Sequence, residues 1–111
     1  MESNAVFVVR TDMHFEETWI MGVHSTLDRA VRDVIERLWA LEDTKEEMLE
    51  TIPLFFGRKH LQMNKVELYQ HLYKYGVVIS SNNKYEINKF IVNGDQVEDL
   101  FPQPLPKGWS I

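Results

Sequence analysis

The sequence predicts an α+β fold in which a small mixed or antiparallel sheet is covered on one face by helices, in the order β-β-α-α-α-β-β. Three observations predict it. Ala5-Val6-Phe7-Val8-Val9-Arg10 and Thr18-Trp19-Ile20-Met21-Gly22-Val23-His24 are rich in β-branched and aromatic residues, and the link between them is too short for a parallel crossover. Leu27, Ala30, Val31, Val34, Ile35, Leu38 and Trp39 then recur at three and four residues, the period of an amphipathic helix. Val77-Val78-Ile79-Ser80 and the run from Tyr85 to Val92 form a second pair of strands around the turn-forming Ser81-Asn82-Asn83.

Each element carries its own signals. Between the first two strands, Thr11 to Glu17 is polar and reads as a loop, with Val9 opposite Ile20 across the hairpin. Ser25 is placed to cap the first helix, and Asp28 favours its N-terminus. Thr44 followed by Glu47 matches a capping box, so a short second helix is expected to about Thr51, stopped by Pro53. Leu54-Phe55-Phe56-Gly57 then reads as an apolar link and Arg58-Lys59-His60 as a basic loop. Asn64 with Glu67 caps a third helix, whose stripe is Val66, Leu68, Tyr69, Leu72 and Tyr73 and whose end is Gly76 in the left-handed conformation. In the last strand the alternation slips between Ile87 and Phe90, which a β-bulge near Asn88-Lys89 would repair.

A chain of 111 residues fits one domain, expected over 1–101, followed by a proline-rich tail over 102–111 that is extended and partly polyproline-like. There is no cysteine, which excludes a disulfide framework, a thiolate metal site and a cysteine nucleophile. No apolar run has the length of a membrane span, and Met1-Glu2-Ser3-Asn4 lacks the features of a secretory signal, so the chain reads as cytoplasmic. The net charge of −5 is unevenly spread. Residues 1–50 hold 12 acids and 5 bases, residues 51–94 hold 2 acids and 6 bases, and residues 95–111 hold 3 acids and 1 base. An acidic first half and a basic middle can steer a charged partner or can simply be solvated faces.

Two segments carry a resemblance. Val6-Phe7-Val8-Val9, a loop, and Ile20-Met21-Gly22-Val23-His24-Ser25-Thr26 leading into a helix with Ala30 form a strand hairpin that steps into a helix through "GV-x-S-T". Tyr85, Ile87, Phe90 and Val92 form a late closing strand. In these features the chain resembles small α/β accessory proteins encoded by bacteriophages and other viruses, over roughly residues 5–38 and 84–95. The helices expected across 43–76 and the proline tail depart from that pattern. The resemblance implies the fold and a viral origin, and with it a place in the host cytoplasm. It brings no catalytic residues.

No set of nucleophile, base and orienting group can be assembled, so an enzyme is not expected. Nor is a cofactor, because there is no phosphate loop, dinucleotide fingerprint or hydrolase elbow. No metal site is expected either. His14 lies beside Glu16 and Glu17, but the hairpin separates it from His24 by roughly 20 Å at about 3.3 Å per residue, and His60 and His71 have no ligand spacing. Two contact surfaces remain for a protein partner, a second copy of the chain included. One is the acidic set Glu42, Asp43, Glu46, Glu47 and Glu50, and the other is the apolar tail, Leu100, Phe101 and Trp109, which could equally close its own core. The expected function is non-enzymatic protein binding, viral and inhibitory if the resemblance holds, by blocking a host defence protein surface. The alternative is a nucleic-acid-binding module using the basic 58–89 region, with Arg58, Lys59, Lys65 and Lys74 as its phosphate contacts.

Overall fold

The structure is a computed structural model that describes residues 5–13, 17–41, 51–56, 59–80, 83–91, 105, 106 and 109. The elements are β1 (Ala5–Met13), β2 (Glu17–His24), α1 (Leu27–Leu41), β3 (Thr51–Phe56), β4 (Lys59–Asn64), α2 (Lys65–Tyr75), β5 (Val77–Ser80) and β6 (Asn83–Ile91). The α+β class stands, with an antiparallel four-stranded sheet in the order β2-β1-β6-β5 and a separate β3-β4 hairpin. β1 and β6 pair without interruption from Ala5 opposite Ile91 to Met13 opposite Asn83, so the two ends of the described sheet meet at its centre.

Residues opposite each other in an antiparallel pair share a face. Val9, Thr11, Tyr85 and Ile87 therefore form an inner face, and all four are buried. α1 lays Ala30, Val31, Val34, Ile35 and Leu38 on it, as the helical period predicts, and α2 adds Leu68 and Leu72 to the same core. Both helices thus lie on one side of the sheet. Among the described residues, neither covers the outer face.

The local helix signals hold with one change. Thr26, not Ser25, caps α1, its hydroxyl accepting from the Arg29 N–H at 3.2 Å. Asn64 and Glu67 form the expected capping box, each side chain accepting from the other residue's backbone N–H. Gly76 ends α2 at φ 72° and donates its N–H to the Leu72 carbonyl at 2.8 Å. The α2 stripe is rotated from expectation. Leu68, His71 and Leu72 are buried, while Val66 and Tyr73 are exposed, because α1 and the β3-β4 hairpin together set which side faces the core.

The middle of the chain corrects the sequence reading. The helix expected from Thr44 lies outside the described residues up to its end, but Thr51 begins a strand. Pro53 sits inside β3 opposite Gln62 and does not act as a stop. Ile52, Leu54 and Phe56 alternate into the core at period two, and Leu61 and Met63 of β4 pack beside them. Proline is tolerated because β4 is the ladder partner of β3 among the described residues, and Pro53 turns its carbonyl, and with it its ring nitrogen, to the opposite side. On that side β3 runs along β5, where the Ser80 hydroxyl donates to the Pro53 carbonyl at 3.4 Å. Lys59 and His60, read as a loop, open β4.

The bulge is also placed differently. β6 keeps one register with β1, whereas β2 shifts between Val9 opposite Gly22 and Arg10 opposite Ile20, leaving Met21 as the extra residue. The tail turns back, with the Trp109 N–H donating to the Pro106 carbonyl at 2.9 Å. Leu105 and Trp109 pack against the core.

The tightness of this core sets a measurable cost. Leu38 is 1% exposed, and truncation of such a side chain leaves a cavity as well as losing transfer energy. Leu38→Ala should lower unfolding free energy by about 2–5 kcal/mol in denaturant titration, with the slope unchanged.

Candidate interaction surface

The outer face of the sheet divides into two regions. Val8 stands opposite Val23, Val6 opposite Phe90, and Arg10 opposite both Ile20 and Glu86. The Val6, Val8, Val23, Phe90 and Ile20 corner is therefore apolar. Ile20 is 68% exposed and Val23 59% exposed, while Val6, Val8 and Phe90 are half-buried. The bulge causes this display. With Met21 as an extra residue that packs against the core, Ile20 and Val23 both face outward although they are three residues apart.

Beside the apolar corner lies a charged cluster centred on Glu86. Its carboxylate accepts from Arg10 Nη2 at 2.9 Å, from Asn88 Nδ2 at 2.9 Å and from Lys84 Nζ at 3.0 Å. Burial pushes the Glu86 carboxyl up, but these donors outweigh it and hold it below the usual carboxylate range. Two buried atoms of the same cluster, Arg10 Nε and Asn88 Oδ1, have no hydrogen-bond partner among the described residues.

On the other side of β2 a polar clamp fixes α1 to the strand. Asp33 accepts from His24 Nε2 at 2.8 Å and from Arg37 Nε at 2.7 Å, and Arg37 Nη2 donates to the Met21 carbonyl at 2.9 Å. Gly22 makes room for it. A Cβ there would sit 2.7 Å from Asp33 Oδ2 and 3.0 Å from His24 Nε2. Farther along α1, Tyr69 of α2 donates to Asp28, which also pairs with Arg32 at 3.1 Å. The bond from Tyr69 and the two nearby guanidinium groups lower the Asp28 carboxyl, and the same bond raises the Tyr69 phenol.

The residues that the sequence singled out fall in several places. Glu42, Asp43, Glu46, Glu47, Glu50, Leu100, Phe101, Arg58 and His14 lie outside the described residues. Lys59 is in β4. Lys65 lies over the Trp39 ring at 5.3 Å and Lys74 over the Tyr75 ring at 5.2 Å. Nine residues apart on one helix, these two lysines are about 13 Å apart along the axis and on opposite sides, so they do not form a stripe. Trp109 stacks on Phe56 at 5.5 Å and on His71 at 5.7 Å, within its own chain. Among the described residues no three potential ligands gather to hold a metal ion, and no helix is long and apolar enough to cross a membrane.

Sequence reasoning missed the Ile20 and Val23 surface. Its signal was the run of large apolar residues on both sides of Gly22, but which face they use depends on the bulge. No family model, curated protein or solved structure matches the chain.

Two outcomes follow from this geometry. Gly22→Ala should cost about 1–3 kcal/mol by forcing Asp33 out of the clamp, and the cost should shrink in an Asp33→Ala background in a double-mutant cycle. His71 is the second case. It is buried against Phe56, Tyr75 and Trp109 and donates Nε2–H to the Val77 carbonyl at 3.2 Å. Burial lowers its pKa below the ordinary 6.5, and the bond to Val77 only partly offsets this. The unfolded chain therefore binds this proton more readily than the folded one. Its contribution is complete above about pH 6.5 and is lost as the pH falls below that value. Melting temperature followed downward from neutral pH should fall less steeply in His71→Gln than in the parent chain.

Proposed function

We propose that the protein is a non-enzymatic binder that acts by occupying the surface of another protein with the outer face of its sheet. The observation that carries this reading is the exposure of Ile20 and Val23 on a sheet face that neither described helix covers. Large apolar side chains held rigidly on a strand cost little conformational entropy to bury, and contact patches commonly join an apolar centre to a polar rim. Val6, Val8 and Phe90 supply the rest of the centre, and the Arg10–Glu86–Lys84 cluster supplies the rim.

The resemblance to virus-encoded accessory proteins gives this binding a direction. A small protein without catalytic groups changes another protein's activity by covering a surface that it needs, and a host defence protein is the target that this origin suggests. Nucleic-acid binding draws less support, because Lys65 and Lys74 point to different sides of α2 and each already lies over an aromatic ring.

The test uses substitutions on the proposed face. Immobilised parent chain should capture a partner from host extract, identified by mass spectrometry and then purified for titration. Phe90→Lys, two strands in from the sheet edge, and Ile20→Lys should each weaken that partner by at least about 30-fold, equivalent to about 2 kcal/mol. Both variants should keep the circular dichroism spectrum of the parent. Equal affinity of parent and variants would place the contact elsewhere.

A further inference from the structure

Among the described residues, β2 is the open edge of the four-stranded sheet. The other edge, β5, is buried at all four positions and lies against β3. Natural sheets blunt an open edge with lysine, proline, bulges or covering segments, and of these β2 has the bulge at Met21 but neither lysine nor proline. It instead exposes Trp19, Ile20 and Val23, and Trp19 is 53% exposed.

The register of β2 is self-complementary. Glu17, Trp19, Gly22 and His24 stand opposite Met13, Thr11, Val9 and Phe7, which places them on the inner face. Thr18 and Val23 stand opposite Asp12 and Val8, on the outer face. A two-fold axis through the Ile20–Met21 step would set β2 antiparallel to the β2 of a second copy. It would pair Trp19 with Gly22, Thr18 with Val23 and Glu17 with His24, each twice. Members of these three pairs lie on the same face, while at the axis Ile20 of each copy faces outward and the extra Met21 turns to the core, unpaired across the seam. In a regular strand this register would send paired residues to opposite faces, so the extra residue Met21 is what permits it.

The side chains fit that register. Between β2 and α1 is a groove of about 420 Å³ whose charged lining is Arg29, Arg32, Asp33, Glu36 and Arg37, with Gly22 and His24 on its strand side. Over Gly22 the groove is closed by the Asp33 carboxylate and the His24 ring, and the partner's Trp19 would arrive beside that clamp. Guanidinium groups favour the face of an indole. Glu17 would meet His24 of the other copy, in a groove whose three arginines outnumber its two carboxylates, and the two-fold repeats the contact. We propose that the protein forms a symmetric dimer by β2-to-β2 pairing, with Trp19 of each copy packed against the β2–α1 groove of the other. This adds a second interface to the binding reading and stands independently of it.

The chain has no cysteine, which makes a direct test clean. Sedimentation at tens of micromolar should give twice the 13.1 kDa of the single chain. Trp19→Ala, on an exposed side chain of the inner face, should raise the dimer dissociation constant at least about 30-fold while keeping the fold by circular dichroism. In a Thr18→Cys/Val23→Cys variant, mild oxidation should yield a covalent dimer, because directly opposed strand residues fall within the span a disulfide bridges. Neither single cysteine variant should do so, since each cysteine is then about 13 Å along the strand from its symmetry mate. A monomeric parent chain, an unchanged dimer in Trp19→Ala, or failure of the double-cysteine variant to cross-link would each overturn the proposal. These substitutions leave Phe90 untouched, so a failure here is separable from a failure of the outer-face reading.

Discussion

The pairing of β1 with β6 is the constraint on which the rest of the molecule depends. It joins Ala5 to Ile91 and Met13 to Asn83, and every other described element is placed by reference to it. β2 extends the sheet from β1, and β5 extends it from β6. Val9, Tyr85 and Ile87, brought side by side by this one register, are the floor on which both helices and the β3-β4 hairpin rest. A slip of β6 by one residue against β1 would turn Tyr85 and Ile87 to the other face and carry Glu86 into the core. The ladder is long-range, so its loop-closure entropy must be met by burial across the whole sheet rather than by any local turn.

The connection between β2 and α1 shows how one irregularity serves two faces at once. The extra residue Met21 sends its own side chain toward the core and its carbonyl to Arg37. It leaves Gly22 beneath the Asp33 carboxylate and turns Ile20 and Val23 outward. The apolar half of α1 would hold the helix against the sheet without fixing its position along the strand. The directional bonds from His24 and Arg37 to Asp33 supply that position. Apolar packing gives the adhesion here and polar geometry gives the alignment.

What the sequence made legible follows the range of the interactions. α1 could be read from its period, and the ends of α2 from Asn64, Glu67 and Gly76, because capping and amphipathicity are written within a few residues. The β1-β2 and β5-β6 hairpins were legible for the same reason. The β3-β4 hairpin was not. Pro53 reads as a helix stop when the preceding residues look helical, and only the position of β3 beside β5 shows why a strand accepts it there. Tyr73 and Val66 were assigned to a stripe that a lone helix would bury, but the neighbours of α2 chose the stripe through Leu68, His71 and Leu72. The outer-face surface was hidden most deeply. Its exposure depends on strand order and on the site of a bulge, and the slipped alternation in β6 pointed to the wrong strand. The acidic residues from Glu42 to Glu50 lie outside the described residues, so the geometry neither adds to nor takes from their reading as a contact surface.

The two proposed surfaces share a strand but not a face, and that arrangement has a consequence. Trp19 and Gly22 belong to the helix side of β2, while Ile20 and Val23 belong to the open side. Pairing through the edge would therefore bury the first pair and leave the second facing out. In the symmetric dimer, Ile20 of one copy lies beside Ile20 of the other at the axis, and two apolar corners join into one patch across a continuous eight-stranded sheet. A patch of that form suits a partner that is itself two-fold symmetric, or one that lies across the axis. Such a partner would bind both copies at once, with the second contact made at the high effective concentration set by a rigid interface. Dimerisation and partner binding would then reinforce each other, because a ligand that prefers the paired state stabilises it in proportion to that preference.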